Sequence, residues 1–314
     1  MKVAIIGGTG FVGGYLVDAL LDKGHEPSLL VRPGSFPKVR RQSECRIVEG
    51  DLASPAAIRA CLDGCAAVIY NVGILREFPR RGITFEASQY DGVVRTIAAA
   101  QATGIRRMLL MSANGVKLPG TPYQETKYRA EQALQEAGLD WTVFRPSVIF
   151  GEPRGTMEIA TQLYRDMIQA PLPAVGLHTG LLPSSGQILL SPVHVRDVAD
   201  AFVSALDQPG TIGRTLHLGG PEALSWTQML QRIAAVVSKR KLVLPMPIAV
   251  MKLAATLLDW LPFFPATREQ LTMLAEGNAV GPQELQHLIG REATAFATDN
   301  LAYLKNASTR GVSS

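Results

Sequence analysis

Short apolar runs alternate with longer amphipathic stretches through the first half of the chain. Val3–Ile6, Pro27–Val31, Arg46–Val48, Ala67–Tyr70, Met108–Met111 and Trp141–Phe144 read as strands. Between them, Phe11–Lys23, Ala56–Leu62, Ser88–Ala102 and Lys127–Ala137 carry helical spacing. Strand and helix in alternation imply right-handed crossovers and an α/β fold with a doubly wound parallel sheet. After Phe150 the rhythm loosens, and Gly151–Gly155, Pro171–Pro173 and Leu182–Gly186 read as loops. A strand around Gln187–Leu190, a helix over Val195–Leu206, a strand around Thr215–Leu218 and helices over Trp226–Val237 and Ile248–Trp260 follow. The expected organisation is a main domain over residues 1–150 and a smaller lobe over 151–314, partly threaded back into the main sheet. The tail from Lys305 reads as frayed.

Composition narrows the class without fixing it. The 314 residues are 47% hydrophobic and 18% charged, an ordinary globular balance. Net charge is +4 with no dense Lys/Arg block, so no nucleic-acid partner is expected. Cys45, Cys61 and Cys65 form no CxxC pair, and their odd number suits a reducing compartment. Cys61 and Cys65 stand four apart, a spacing that suits core filling better than redox or metal chemistry. His178 and His217 stand alone, and no metal-ligand spacing is present in the sequence. The first strand begins almost at the first residue, so a cytoplasmic protein without a targeting segment is expected.

The chemistry concentrates where the first strand meets the first helix, in GGTGFVG at Gly7–Gly13. Gly7 allows a sharp turn, Gly10 close approach of a pyrophosphate, and Gly13 tight packing of helix on strand. Thr9, Phe11 and Val12 complete the turn, whose helix start offers unpaired N–H groups to phosphates. A dinucleotide is the ligand this context predicts. Arg32, Asp51, Asn71-Val72-Gly73 and Ser112 also fall at or just beyond strand ends, where ligands of such sheets bind. Arg32 occupies the position after the second strand, where a carboxylate would select NAD, and no Asp or Glu lies between Pro27 and Gln42. A guanidinium there suits a 2′-phosphate, with Ser35, Lys38, Arg40 and Arg41 adding donors and charge nearby, so NADP(H) is preferred and NAD(H) remains open. Within Gly50-Asp51-Leu52, Asp51 either bonds the adenine amine or caps the helix that starts near Ser54.

These landmarks, with YQETK at Tyr123–Lys127, RPSVIFG at Arg145–Gly151 and PVHVRDVADA at Pro192–Ala201, resemble the extended and atypical branches of the short-chain dehydrogenase/reductase superfamily over most of the chain. The branch that it resembles most holds the nucleotide-binding accessory subunit of respiratory complex I; NmrA-like and isoflavone-reductase-like proteins are similar. The resemblance implies a Rossmann fold, Tyr123 as general acid/base, Lys127 as the cation that acidifies it and binds the nicotinamide ribose, and Ser112 as the group that polarises a carbonyl. It also implies that Pro146 and Val148 line the nicotinamide, and that His194 and Asp197 brace the smaller lobe. Tyr123 and Lys127 are four apart and would share a helix face. The loop Ala113–Pro122 is shorter than in extended members, which leaves Tyr123 either catalytic or confined to a structural or cofactor-only role.

Three readings of function stay open: an NADP(H)-dependent oxidoreductase on a small or apolar carbonyl or alcohol, a non-catalytic accessory, assembly or redox-sensing protein, and a sugar-nucleotide epimerase or dehydratase. The third is disfavoured by Arg32 and by the short loop. The segment Pro245–Pro265 reads as an apolar helix with a narrow polar stripe of Lys252, Thr256 and Asp259. Prolines and charges argue against a spanning helix. Burial in the smaller lobe is one expectation, and docking on a protein complex or the inner face of a membrane is the other.

Overall fold

The computed structural model describes residues 1–180, 185–258 and 267–309. The chain divides into two compact units: Met1–Pro146 with Arg196–His217 and His287–Gly290, and Ser147–Val195 with Leu218–Gln286 and Arg291–Ser314.

The first unit is a Rossmann-type sheet flanked by helices. Its strands are β1 (Lys2–Ile6), β2 (Glu26–Val31), β3 (Arg46–Glu49), β4 (Ala67–Tyr70), β5 (Arg107–Met111), β6 (Asp140–Pro146) and β7 (Arg214–Leu218). They lie in the order β7-β6-β5-β4-β1-β2-β3, and the pairs among β1–β6 are parallel. Val3–Ile6 and Ala67–Tyr70 are buried on both faces, which is why these strands are continuous apolar runs and do not alternate. The register aligns Ile6 with Tyr70 and Tyr70 with Leu110, so the residues leaving β1, β4 and β5 form one row at the carboxyl edge.

Helices α1 (Phe11–Asp22), α2 (Pro55–Leu62), α3 (Gly92–Thr103), α4 (Pro122–Gln135) and α5 (Val195–Leu206) belong to this unit. α4 starts five residues before the expected Lys127. Thr121 and Gln124 form a reciprocal capping box, and Pro122 fills the first turn without wasting a donor. The expected helix Ser88–Ala102 also begins earlier, as a π-turn over Glu86–Asp91. There the Tyr70 hydroxyl donates to the Ser88 carbonyl, and a Cβ on Gly92 would lie 2.1 Å from that hydroxyl. Phe202 of α5 packs on Phe144 of β6 with ring centroids 4.1 Å apart. Cys61 is buried beside Ser28, and Cys65 donates to the Cys61 carbonyl, so both serve packing.

Among its described residues the second unit carries three short strand pairs. Ile149–Phe150 runs parallel to Val193–His194, Leu189–Leu190 antiparallel to Leu224–Ser225, and Ala174–His178 parallel to Val243–Pro247. The expected strand Gln187–Leu190 is thus two residues long. Helices α6 (Trp226–Val236), α7 (Ile248–Leu258) and α8 (Arg268–Glu276) surround a core that includes Phe150, Tyr164, Met229, Ile233 and Phe296. α7 buries Ile248 and Ala255 but leaves Val250 and Leu253 exposed at 52% and 65%. Leu182–Ser184 of an expected loop, and Asp259, Trp260 and the rest of the apolar segment through Pro265, lie outside the described residues. Among the described residues no helix is long and apolar enough to cross a membrane.

Candidate functional site

The glycine turn leaving β1 has the shape that its sequence requires. Gly7 has φ +98°, and a Cβ on it would lie 3.0 Å from the Asn71 carbonyl carbon and oxygen. A Cβ on Gly13 would lie 2.2 Å from the Gly7 oxygen and 2.7 Å from the Gly8 carbonyl carbon, so only glycine lets α1 seat there. Gly10 is the N-cap of α1; it has no side chain to cap the helix, and no acidic residue stands in the first turn. The N–H groups of Phe11, Val12 and Gly13 therefore precede the first intrahelical bond, that of the Gly14 N–H to the Gly10 carbonyl at 3.1 Å. Thr9, Phe11 and Val12 are half-buried around this turn, and Gly10 is exposed.

A continuous line of contacts runs from this turn along the carboxyl edge. The Asn71 side-chain amide donates to the Gly7 carbonyl at 3.4 Å, and its backbone N–H donates to Ile6 at 2.8 Å. Val72 packs against the core beneath the sheet. At Gly73 a Cβ would lie 3.7 Å from the Lys127 ammonium, so Lys127 reaches across to this loop. Lys127 Nζ donates to the Met111 carbonyl at 3.0 Å and stands 5.7 Å from the centroid of the Tyr123 ring. Ser112 follows immediately. Its N–H is tied to Phe144 at 2.8 Å, whereas its buried Oγ has no hydrogen-bond partner among the described residues. A buried hydroxyl left unsatisfied is uncommon and costs stability unless a ligand answers it.

The electrostatics follow from burial. The Lys127 amine is almost wholly removed from water, which lowers its pKa from 10.5 to about 8, partly offset by the negative charge of Glu131 one turn on. Glu131 is fully buried and clasped by the Arg145 guanidinium at 3.0 Å from Nε, with Nη2 on the other oxygen. The Tyr123 phenol is pushed well above its ordinary value by burial. Its ring meets that of Phe85 edge-on, with centroids 5.7 Å apart.

At the carboxyl end of β2, Arg32 is exposed. Arg32, Lys38 and Arg40 make no ion pair among the described residues, and the Arg40 stem lies over Gly14 of α1, where a Cβ would come to 3.3 Å. Arg41 is different: it pairs with Asp22 and Glu44 at 2.7 Å each, so it staples its loop to α1 and is not a free cation. Asp51 accepts from the Ala53 N–H at 2.9 Å, while Ser54 caps α2. Leu52 packs on the core, and its carbonyl accepts from Arg95.

The remaining predicted residues divide between the units. In the first, the Pro146 carbonyl accepts from the Asn114 N–H at 2.9 Å, and Asp197 is fully buried in the first turn of α5. His217, read as solitary in the sequence, pairs with the Asn114 side chain at 3.0 Å. In the second, the Val148 carbonyl accepts from Val193 at 2.9 Å, His194 packs edge-on against Phe150, and His178 bonds the Gly180 carbonyl. The sequence reading missed Glu131 and Arg145. Glu131 stands four residues after Lys127 on the same helix face, but its partner comes from β6 and leaves no local signal.

Comparison with known proteins fixes the family. The family described as NAD(P)H-binding matches residues 7–168, and the chain belongs to it, as a Rossmann protein of the atypical short-chain dehydrogenase/reductase type. The family described as RmlD substrate binding domain matches residues 112–256. Among curated relatives, photosystem II assembly factor Ycf39 of Trieres chinensis is 27% identical over 81% of this chain and 75% of its own length. A ceramide reductase of Caulobacter vibrioides is 27% identical over 82% and 77%. The crystal structure of gox2253 matches with a TM-score of 0.79 at 21% identity, covering 99% of each chain; that likeness concerns the fold. A nicotinamide cofactor is common ground for the family.

Proposed function

We propose that this protein is an NADP(H)-dependent oxidoreductase acting at the carbonyl or alcohol carbon of a small or apolar substrate. The observation that carries this reading is the buried, unpartnered hydroxyl of Ser112, one residue from the carbonyl that holds Lys127. In this reading the α1 N–H groups and the glycine cradle hold the pyrophosphate. Asn71-Val72-Gly73 runs along the ribose, and Lys127 binds the nicotinamide ribose. The exposed guanidinium of Arg32 grips the 2′-phosphate, with Arg40 of the same loop adding charge, in a stretch that offers no carboxylate to repel it. Bound nicotinamide supplies or accepts the hydride. Ser112 Oγ donates to the substrate oxygen, and the Tyr123 hydroxyl exchanges the proton at that oxygen. The Lys127 ammonium, charged near neutrality, draws the phenol pKa down once both face the substrate.

The test is consumption of NADPH against a panel of aldehydes and quinones. Tyr123→Phe is expected to abolish turnover and leave NADPH affinity within about twofold. Unchanged turnover would remove Tyr123 from the reaction. A second reading, a non-catalytic NADP(H)-binding accessory or assembly protein, is favoured by two observations. The Lys127 amine is bonded to the Met111 carbonyl, and the Tyr123 phenol stays raised. The assembly factor among its relatives agrees with that reading. Binding of NADPH with no turnover on any carbonyl in the panel is its expected signature.

A further inference from the structure

We infer that the loop following Gly73 recognises an anionic headgroup on an otherwise apolar substrate, so that the site takes an amphiphile bearing a phosphate or carboxylate. This rests on the oxidoreductase reading for its substrate role. The segment from Ile74 to Phe85 folds into a small hairpin, closed by reciprocal bonds between Phe78 and Ile83 at 2.7 and 3.3 Å. It is fastened to the catalytic helix. The Gln89 amide holds the Ile74 carbonyl at 2.9 Å while its oxygen accepts from Thr126, next to Lys127. Phe85, at the other end, carries the ring that meets Tyr123. The hairpin therefore rises from the residues that would handle the reacting oxygen.

Its chemistry is lopsided. Arg76, Arg80 and Arg81 make no ion pair among the described residues. The two carboxylates nearby are already engaged. Glu77 accepts from the Phe85 N–H at 2.6 Å, and Glu86 is clasped by Arg129 with two bonds of 2.9 Å. Three guanidiniums within six residues concentrate positive charge on one short hairpin, which an anion would answer. Beside them Leu75 and Phe78 are 62% and 49% exposed, apolar surface that solvent alone does not reward. Three guanidiniums without an ion pair among the described residues, beside exposed apolar side chains on one short hairpin, match a molecule with a charged head and a hydrocarbon body.

The test uses the full chain with NADP⁺ present and three probes: octyl phosphate below its micellar concentration, octyl glucoside, and inorganic phosphate. Octyl phosphate is expected to bind at least about tenfold more tightly than either of the others. The combined variant Arg76→Gln, Arg80→Gln and Arg81→Gln should lose at least about tenfold for octyl phosphate and leave NADP⁺ affinity within about twofold. Equal octyl phosphate binding by variant and wild type overturns the inference. Loss confined to sedimentation with phosphatidylglycerol vesicles, with no binding of monomeric octyl phosphate, also overturns it and makes the hairpin a membrane contact. Failure of the cofactor reading would show separately, as absent NADP⁺ binding in the wild type.

Discussion

Lys127 makes the candidate site expensive to fold, and removing its charge should stabilise the protein. The amine titrates near 8 in the folded chain against 10.5 ordinarily. At about 1.4 kcal/mol per unit, burying the charged form costs about 3 kcal/mol at pH 7. Because the folded value lies below the unfolded one, the unfolded chain holds more protons between pH 8 and 10.5. Stability therefore rises with pH through that window. By pH 9.5 the same cost falls to about 1.4 kcal/mol. Lys127→Met removes the charge at similar volume but forfeits the bond to the Met111 carbonyl, a loss of about 1–2 kcal/mol. The variant should then be about 1–2 kcal/mol more stable at pH 7, and the difference should move by about 2 kcal/mol in favour of the wild type at pH 9.5. Urea denaturation of both proteins at the two pH values, without cofactor, measures this. Whatever the carbonyl adds to the charged amine over the neutral one is already contained in the depressed pKa, so the pH-dependent part isolates the amine. A difference independent of pH would refute the claim that Lys127 is a buried, depressed lysine.

Further perturbations test other links. Gly13→Ala should destabilise the protein by about 3 kcal/mol or more and abolish cofactor binding, because its Cβ would lie 2.2 Å from the Gly7 oxygen, backbone that cannot swing away. Without that clash alanine would add about 1 kcal/mol of helix preference, so a stabilised variant in chemical denaturation contradicts the packing described. Glu131→Gln should cost about 3 kcal/mol by leaving Arg145 a neutral partner for a mostly buried charge, read from the same denaturation. It should also lower the Lys127 pKa below about 8, visible as an acid-ward shift in the pH profile of the Lys127-dependent stability.

The fold was legible where local geometry dictates it. The glycines after β1, the apolar runs of the buried strands and the exposed arginine after β2 each act within a few residues, so periodicity and spacing suffice to find them. Legibility failed where the determinant is tertiary. Arg41 reads as a loose cation until Asp22, nineteen residues away, is seen to hold it. The Glu131–Arg145 pair joins α4 to β6, and the orphaned state of Ser112 depends on everything packed around it. α4 begins five residues before its apolar spacing predicts because its opening turn is polar; the Thr121–Gln124 box that starts it needs no apolar periodicity. The two-residue strands of the second unit are too short for any alternation to register.

Calorimetric titration of the purified chain with NADPH and with NADH tests the central claim most directly, repeated on Arg32→Glu. The account predicts one site per chain, NADPH at least about tenfold tighter than NADH, and reversal or loss of that preference in the variant. No heat with either nucleotide, or equal affinities unaffected by Arg32→Glu, would contradict it.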